Sequence, residues 1–444
     1  MKIFRLLICI ASALSMLTAC SSSNGGEQPV EPDKETPAET VVPHFLYQAN
    51  PRAFAENGGL NAIAERIPEI SKMGIDVLWI MPMFTLGEEK AFASPYCIRD
   101  FKNINPRIGN YDDFRKLVDK AHAAGMKVML DWVANHTSWD HSWIKAHPEY
   151  YVKDASGNIS QANVWSDVAQ LDFKNADLRA AMIDAMKFWV TDYAVDGFRC
   201  DYADGPGHTF WKEAVTALRG VKADILMLAE SGDKELYNDG FDMIYGWTYA
   251  GAVSDLFKGK GNIDLFFKRE AEESAMCPEG KSIMRYALNH DTASESAIES
   301  IYGSYEAIPA AYFLTAMLGK TPMIYSIMES DVRSGKVSFF EYKSVNWNSA
   351  NTAVYAAINK AVRDTAPARS GKMQTYHTGN GVTVSFRNGD NTALVVVNPT
   401  GSTISVKTPI EIAGSAMREC IEGIDIKVPT VIELQPYAYK AYYK

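Results

Sequence analysis

From Phe45 to Arg363 the chain alternates short apolar runs with amphipathic stretches, and this pattern narrows the possible folds more than any other feature. The apolar runs are Phe45–Ala49, Val77–Met81, Lys127–Asp131, Gly197–Asp201, Ile225–Ala229, Phe241–Ile244, Ile283–Leu288 and Pro322–Tyr325. Their length and their content of branched and aromatic residues predict strands. Between and after them, Leu60–Lys72, Tyr111–Ala124, Ala176–Tyr193, Phe210–Leu218, Tyr305–Leu318 and Ala350–Arg363 repeat apolar residues at helical spacing. Strand–helix alternation predicts an α/β fold with a parallel sheet and helical crossovers. Eight such units predict a closed (β/α)8 TIM barrel, whose functional groups sit at the C-terminal ends of its strands.

The third and fourth strands are unusually far apart, and the polar, aromatic segment at about 137–172 reads as a short insertion over the barrel mouth. After Ser370 the pattern changes to alternating runs, Val382–Phe386, Ala393–Val397, Ile404–Val406 and Val431–Leu434, with turns at Asn388-Gly389 and Pro399-Thr400-Gly401. That predicts an antiparallel β-sandwich domain. The expected organisation is a barrel over 44–368 and a β-domain over 369–444.

Residues 1–19 read as an export signal: Lys2 and Arg5, an apolar run from Leu6 to Met16 that is too short to span a bilayer, then small residues. Leu17-Thr18-Ala19-Cys20 resembles a bacterial lipoprotein box. It implies lipidation of Cys20 and a membrane-anchored, exported protein on the periplasmic face or the cell surface; an ordinary cleaved signal is the alternative. Residues 20–43 are rich in Ser, Gly, Pro, Glu and Thr and read as a flexible tether. Cys97, Cys200, Cys277 and Cys420 are scattered, with neither metal-ligand spacing nor a disulfide framework. A net charge of −10 offers no basic footprint for nucleic acid, and an uncharged ligand fits better.

Gly197-Phe198-Arg199-Cys200-Asp201 ends a strand in an arginine and a carboxylate two residues apart. Alternation puts Arg199 and Asp201 on one face and turns Cys200 to the other, where it packs. The guanidinium is expected to hold Asp201 ionised and to lower its pKa, as a nucleophile requires. Other strand ends carry Asp131-Trp132-Val133-Ala134-Asn135-His136, Glu230 and Asn289-His290-Asp291. Taken singly, each acidic residue reads as a helix cap or a solvated turn. Together they place several carboxylates and two histidines at one end of one barrel, which predicts chemistry there.

These stretches resemble the short motifs of the α-amylase family, glycoside hydrolase family 13. Asp131, Asn135 and His136 match one motif, and Gly197, Arg199 and Asp201 a second. Glu230 matches the strand-end glutamate, and His290 and Asp291 the last motif. Ser94-Pro95-Tyr96 with Asp100-Phe101, Asn105-Pro106 and Gly109 looks like the family's second-loop segment. The resemblance implies a retaining glycoside hydrolase acting on α-1,4-glucosidic bonds of starch and maltooligosaccharides. Asp201 would be the nucleophile, Glu230 the acid/base, and Asp291 the transition-state stabiliser. Tyr96, His136, Arg199 and His290 would bind the sugar.

The chain departs from the family at two places. Asp204 and Gly205 stand where many relatives have Lys-His, which leaves chain-length preference open. In Ala169-Gln170-Leu171-Asp172, Gln170 takes the position of a calcium-ligating Asp. Asn135 and Asp167 remain as candidate ligands, but hard cations favour several oxygens, mostly carboxylate. No cofactor is expected to be required, and calcium is expected to bind weakly or not at all. A 4-α-glucanotransferase and an α-1,6-active, pullulanase-like enzyme use the same residues. A non-catalytic glycan-binding lipoprotein is the reading from another class, and it gives no reason for Asp201, Glu230 and Asp291 to occur together.

Overall fold

The computed structural model describes residues 45–444; the signal at 1–19, Cys20 and the tether at 20–43 lie outside the described residues. Eight parallel strands close into a barrel in sequence order. They are β1 (Leu46–Ala49), β2 (Val77–Ile80), β3 (Lys127–Trp132), β4 (Gly197–Cys200), β5 (Leu226–Ala229), β6 (Met243–Tyr245), β7 (Ser282–Tyr286) and β8 (Thr321–Tyr325). Leu46 pairs with Met323 on one side and Val77 on the other, which closes the ring. All eight strands are buried, as expected for strands with side chains inside and helices outside.

At the N-terminal end of the barrel, aspartates tie the strands in pairs. Asp76, Asp196 and Asp242 each immediately precede an even-numbered strand. Each accepts a backbone N–H at the start of the preceding strand: Phe45 at 2.9 Å, Val128 at 2.7 Å and Met227 at 3.0 Å. Each carboxylate is also paired with cationic groups: Arg363 for Asp76, Lys222 for Asp196, and Arg219 and Lys281 for Asp242. The fourth pair, β7 and β8, is joined by the hydroxyls of Thr321 and Ser282 at 2.7 Å.

Between β2 and β3, strands Phe84–Leu86 and Ile98–Ile104 form an antiparallel hairpin whose connection carries Ser94-Pro95-Tyr96. The segment after β3 folds into a small sheet, His136–Ser138 against Trp165–Gln170 and the latter against Gln161–Ala162. The C-terminal region has a six-stranded antiparallel sheet and a separate two-stranded one, Ile404–Lys407 with Val431–Leu434. It packs on the barrel helix Ala307–Met317, with Phe313 stacked on Tyr439 at 4.5 Å. Its strands Lys372–His377 and Ile424–Lys427 are at the sheet edges and largely exposed, so they carry no apolar run to predict them from.

Two further differences from the sequence reading have local causes. Helices Trp247–Phe257 and Ile263–Ser274 cross from β6 to β7, fastened by buried Arg285, which donates to Glu273 (2.9 Å) and Glu270 (3.2 Å). The run Ile283–Leu288 stops being strand at Tyr286 because Asn289 caps a new helix, His290–Glu295, accepting from the Thr292 N–H. Cys97, Cys200, Cys277 and Cys420 are free thiols, and Cys200 is fully buried in the core. No helix among the described residues is long and apolar enough to cross a membrane.

Replacing Asp196 by Ala leaves the Val128 N–H without its acceptor and Lys222 without its partner. The expected cost is about 2–3 kcal/mol, seen as a lower urea midpoint at unchanged slope. Asp196→Asn, which keeps an acceptor for Val128, should lose less.

Candidate active site

Register places the first pair of groups. Asp131 on β3 and Arg199 on β4 are direct partners on adjacent strands. Both side chains are fully buried, and Arg199 Nη1 lies 2.7 Å from Asp131 Oδ1. The same Nη1 donates to Asp201 Oδ1 at 2.9 Å, and Nη2 forms an ion pair with Glu230 Oε1 at 2.6 Å. Nε donates to the Tyr245 hydroxyl at 3.2 Å. The rings of Trp79, Tyr245 and Tyr96 surround the guanidinium, with centroids 5.2 to 5.9 Å from its carbon. One cation thus orients three carboxyls.

Burial and Arg199 act against each other on these groups. Removal from water pushes Asp201 up to about 7 and Glu230 up to about 8, although Arg199 pulls both down. Burial also pushes Asp131 up to about 6 against the same pull. The expectation that Arg199 would lower the Asp201 pKa therefore gives way to desolvation. Three carboxyls pair with one guanidinium, so the cluster keeps a proton near neutral pH, and Glu230 holds protons most tightly. Glu230 Oε2 accepts the Tyr202 N–H at 2.9 Å. Tyr202 adopts a left-handed backbone (φ 41°), uncommon for a non-glycine residue.

A chain of hydrogen bonds fixes the opposite wall. Gln48 Nε2 lies 2.8 Å from His290 Nδ1, and His290 Nε2 lies 2.8 Å from the Tyr96 hydroxyl. Tyr96 in turn donates to Asp131 Oδ2 at 3.3 Å, and Trp79 Nε1 donates to the same oxygen at 3.2 Å. Donation from Gln48 leaves His290 with its proton on Nε2, facing Tyr96 and Asp291, whose Oδ1 lies 3.4 Å away. Tyr96 stacks on His290, and Phe339 meets both rings edge-on. His136 Nε2 is 3.2 Å from the Tyr96 carbonyl, and its Nδ1 is 3.2 Å from the Asn135 amide. Burial lowers both histidines to about 4, so both are neutral.

Asp201, Glu230, Asp291, Tyr96, His136 and His290 all line one cavity of about 590 Å³. Arg199 lies beneath its floor. The rim includes Phe92, Val164, Trp165, Trp247 and Phe340, among the most exposed large apolar residues described; Trp165 and Trp247 are 37% and 45% exposed. Trp165 comes from the insertion strand and stands edge-on to Tyr202. Trp247 comes from the helix after β6, beside the space left open by Gly232.

Sequence reasoning missed Gln48, Trp79 and Tyr245, which reach the site from other strands. It also missed the rim aromatics. An aromatic inside an apolar strand carries no sign of whether it faces the barrel axis or the helices.

The candidate cation ligands are not brought together. Asp167 and Gln170, three residues apart on one strand, point to opposite faces; the Asp167 carbonyl accepts from Cys97, and Asp167 lines the main cavity. The Gln170 amide is against Asn135 instead.

Asp201 raises the Glu230 pKa through charge repulsion. Asp201→Asn should therefore lower the Glu230 value from about 8 by a unit or so. A 13C carboxyl NMR titration of the variant against wild type reads this directly.

The family model described as "Alpha amylase, catalytic domain" matches residues 35–158. Alpha-amylase MalA of Haloarcula japonica is 26% identical over 380 residues, covering 80% of this chain and 55% of that protein. An alpha-1,4-glucan:maltose-1-phosphate maltosyltransferase of Salinibacter ruber is 24% identical over 420 residues, covering 83% of this chain and 60% of the other. This chain spans about half the length of the curated relatives it matches. Among solved structures, an alpha-amylase from Lactobacillus plantarum superposes with a TM-score of 0.81 at 25% identity, covering 90% of this chain and 98% of that one. The chain is thus similar to alpha-amylases, in sequence through the family model's match over residues 35–158 and in fold over 90% of its length.

Proposed function

We propose that this protein is a retaining glycoside hydrolase that cleaves α-1,4-glucosidic bonds of starch and maltooligosaccharides. The observation that carries the proposal is the anchoring of Asp201 and Glu230 on the two terminal nitrogens of one buried guanidinium, facing a common cavity. Retention needs two carboxyl groups close together, one attacking and one donating a proton. Asp201 attacks the anomeric carbon as Glu230 protonates the departing oxygen, and an ester forms at Asp201. That ester removes the negative charge that raises the Glu230 pKa, so Glu230 is left as a base to activate water in the second half. Asp291 lines the same cavity beside the Nε2–H of His290, where hydroxyls of the distorted sugar would be held.

The cavity supports an extended, uncharged substrate. Its rim is aromatic, and its inner wall carries neutral histidines and a tyrosine hydroxyl, a combination suited to pyranose faces and hydroxyls. Transfer to a sugar acceptor in place of water is the second reading, favoured by the likeness to a maltosyltransferase along most of the chain. Export and lipid anchoring through Cys20 rest on the residues before Phe45. Labelling with a palmitate analogue, lost in Cys20→Ala, is the expected result.

Proton NMR of maltoheptaose digests should show shorter sugars appearing first as α-anomers; β-anomers would exclude retention, and sugars longer than the substrate would favour transfer. Glu230→Gln should lower kcat/KM by roughly 10²–10⁴-fold and remove the alkaline limb of its pH profile. That limb follows loss of the Glu230 proton, whereas the acidic limb follows protonation of Asp201. Trp247→Ala should raise KM for maltoheptaose several-fold and leave the anomeric outcome unchanged.

A further inference from the structure

We propose that the side-chain amide of Gln170 stands in for a bound cation between the loop after β3 and the insertion strand, so that this chain holds the His136 wall of its cavity without calcium. The resemblance to the family implies a calcium ligand at position 170, and the donor set here does not fit one. Gln170 Nε2 donates toward three oxygens: the Asn135 carbonyl at 2.9 Å, Asn135 Oδ1 at 3.0 Å and the Leu171 carbonyl at 3.2 Å. Three acceptors around one nitrogen form an oxygen pocket of the kind a small cation takes. Here its centre is filled by the two amide hydrogens, one of them shared. Turning the amide over would set its own oxygen against three others, so only the amino end fits.

The pocket is also poor in charge. All three oxygens belong to neutral groups, whereas calcium takes six to eight oxygens, several of them carboxylate. Asp167, the nearest acidic residue on the same strand, faces the other way. The far side is closed by Gly205, where a Cβ would overlap the Asn135 side-chain oxygen, so the backbone presses directly on that amide. Asn135 is fully buried and also contacts His136 Nδ1. Gln170 lies opposite His136 in the sheet register. The amide therefore joins two segments and sets the position of a cavity-lining histidine. Gln170 is a positioning residue.

The test is thermal and independent of glycosidase activity. The full chain is dialysed against EDTA and titrated with calcium chloride, with unfolding followed by scanning calorimetry and binding by isothermal titration. Wild type should unfold at the same temperature in EDTA and in calcium and show no binding heat. Gln170→Glu keeps the shape but points a carboxylate at the three oxygens. It should unfold earlier in EDTA and regain several degrees with calcium. Gln170→Ala should unfold earlier in both and ignore the metal. A wild type that loses stability in EDTA and recovers it with calcium would overturn the proposal, as would a Gln170→Glu variant as indifferent to calcium as Gln170→Ala.

Discussion

The site depends on one buried guanidinium. Arg199 is fully enclosed in the barrel, and taking an arginine out of water costs several kcal/mol unless its charge and its hydrogens find partners. Asp131 supplies the buried counter-charge, while Asp201 and Glu230 bind from the cavity side. The aromatic faces of Trp79, Tyr96 and Tyr245 take up the rest of the surface. An ammonium would be a poor replacement, because its three hydrogens rotate about one nitrogen, whereas the planar guanidinium reaches Asp131 and Asp201 from one nitrogen and pairs with Glu230 through another, in fixed directions. The positions of Asp201 and Glu230 follow from the position of this one planar group.

The same arrangement sets their protonation. One positive charge cannot keep Asp131, Asp201 and Glu230 all ionised at close range with little water nearby. A proton stays in the cluster, and the pKa order favours Glu230. The proposed acid and the proposed nucleophile are thus distinguished by environment, since both residues are carboxyls. The strained turn at Tyr202 aims its N–H at Glu230, one more restraint on the proposed proton donor.

The two ends of the barrel use carboxylates in opposite ways. At the N-terminal end, Asp76, Asp196 and Asp242 are satisfied by backbone N–H groups and by paired cations, and they hold strands in register. At the C-terminal end, three carboxyls share one cation. An arrangement that stabilises the fold at one end would remove the proposed reactivity at the other.

The barrel was legible in the sequence because its eight strands are buried on both faces and read as apolar runs, separated by helices of clear period. Asp201, Glu230, Asp291, His136 and His290 were legible because polar residues that close an apolar run are conspicuous, and barrel geometry brings strand ends together. The edge strands of the C-terminal sheet and the helices between β6 and β7 were not, since exposed edges and a buried ionic anchor at Arg285 leave no simple pattern. Nor could sequence weigh Arg199 against burial: the guanidinium two residues from Asp201 suggested a lowered pKa, and only the enclosed barrel reveals how little water remains. The chain by itself determined the order of the elements and the identity of the polar groups at the strand ends. Tertiary structure decided their protonation, the aromatic rim and the partner of Gln170, because each depends on groups distant in sequence and on the solvent that folding excludes.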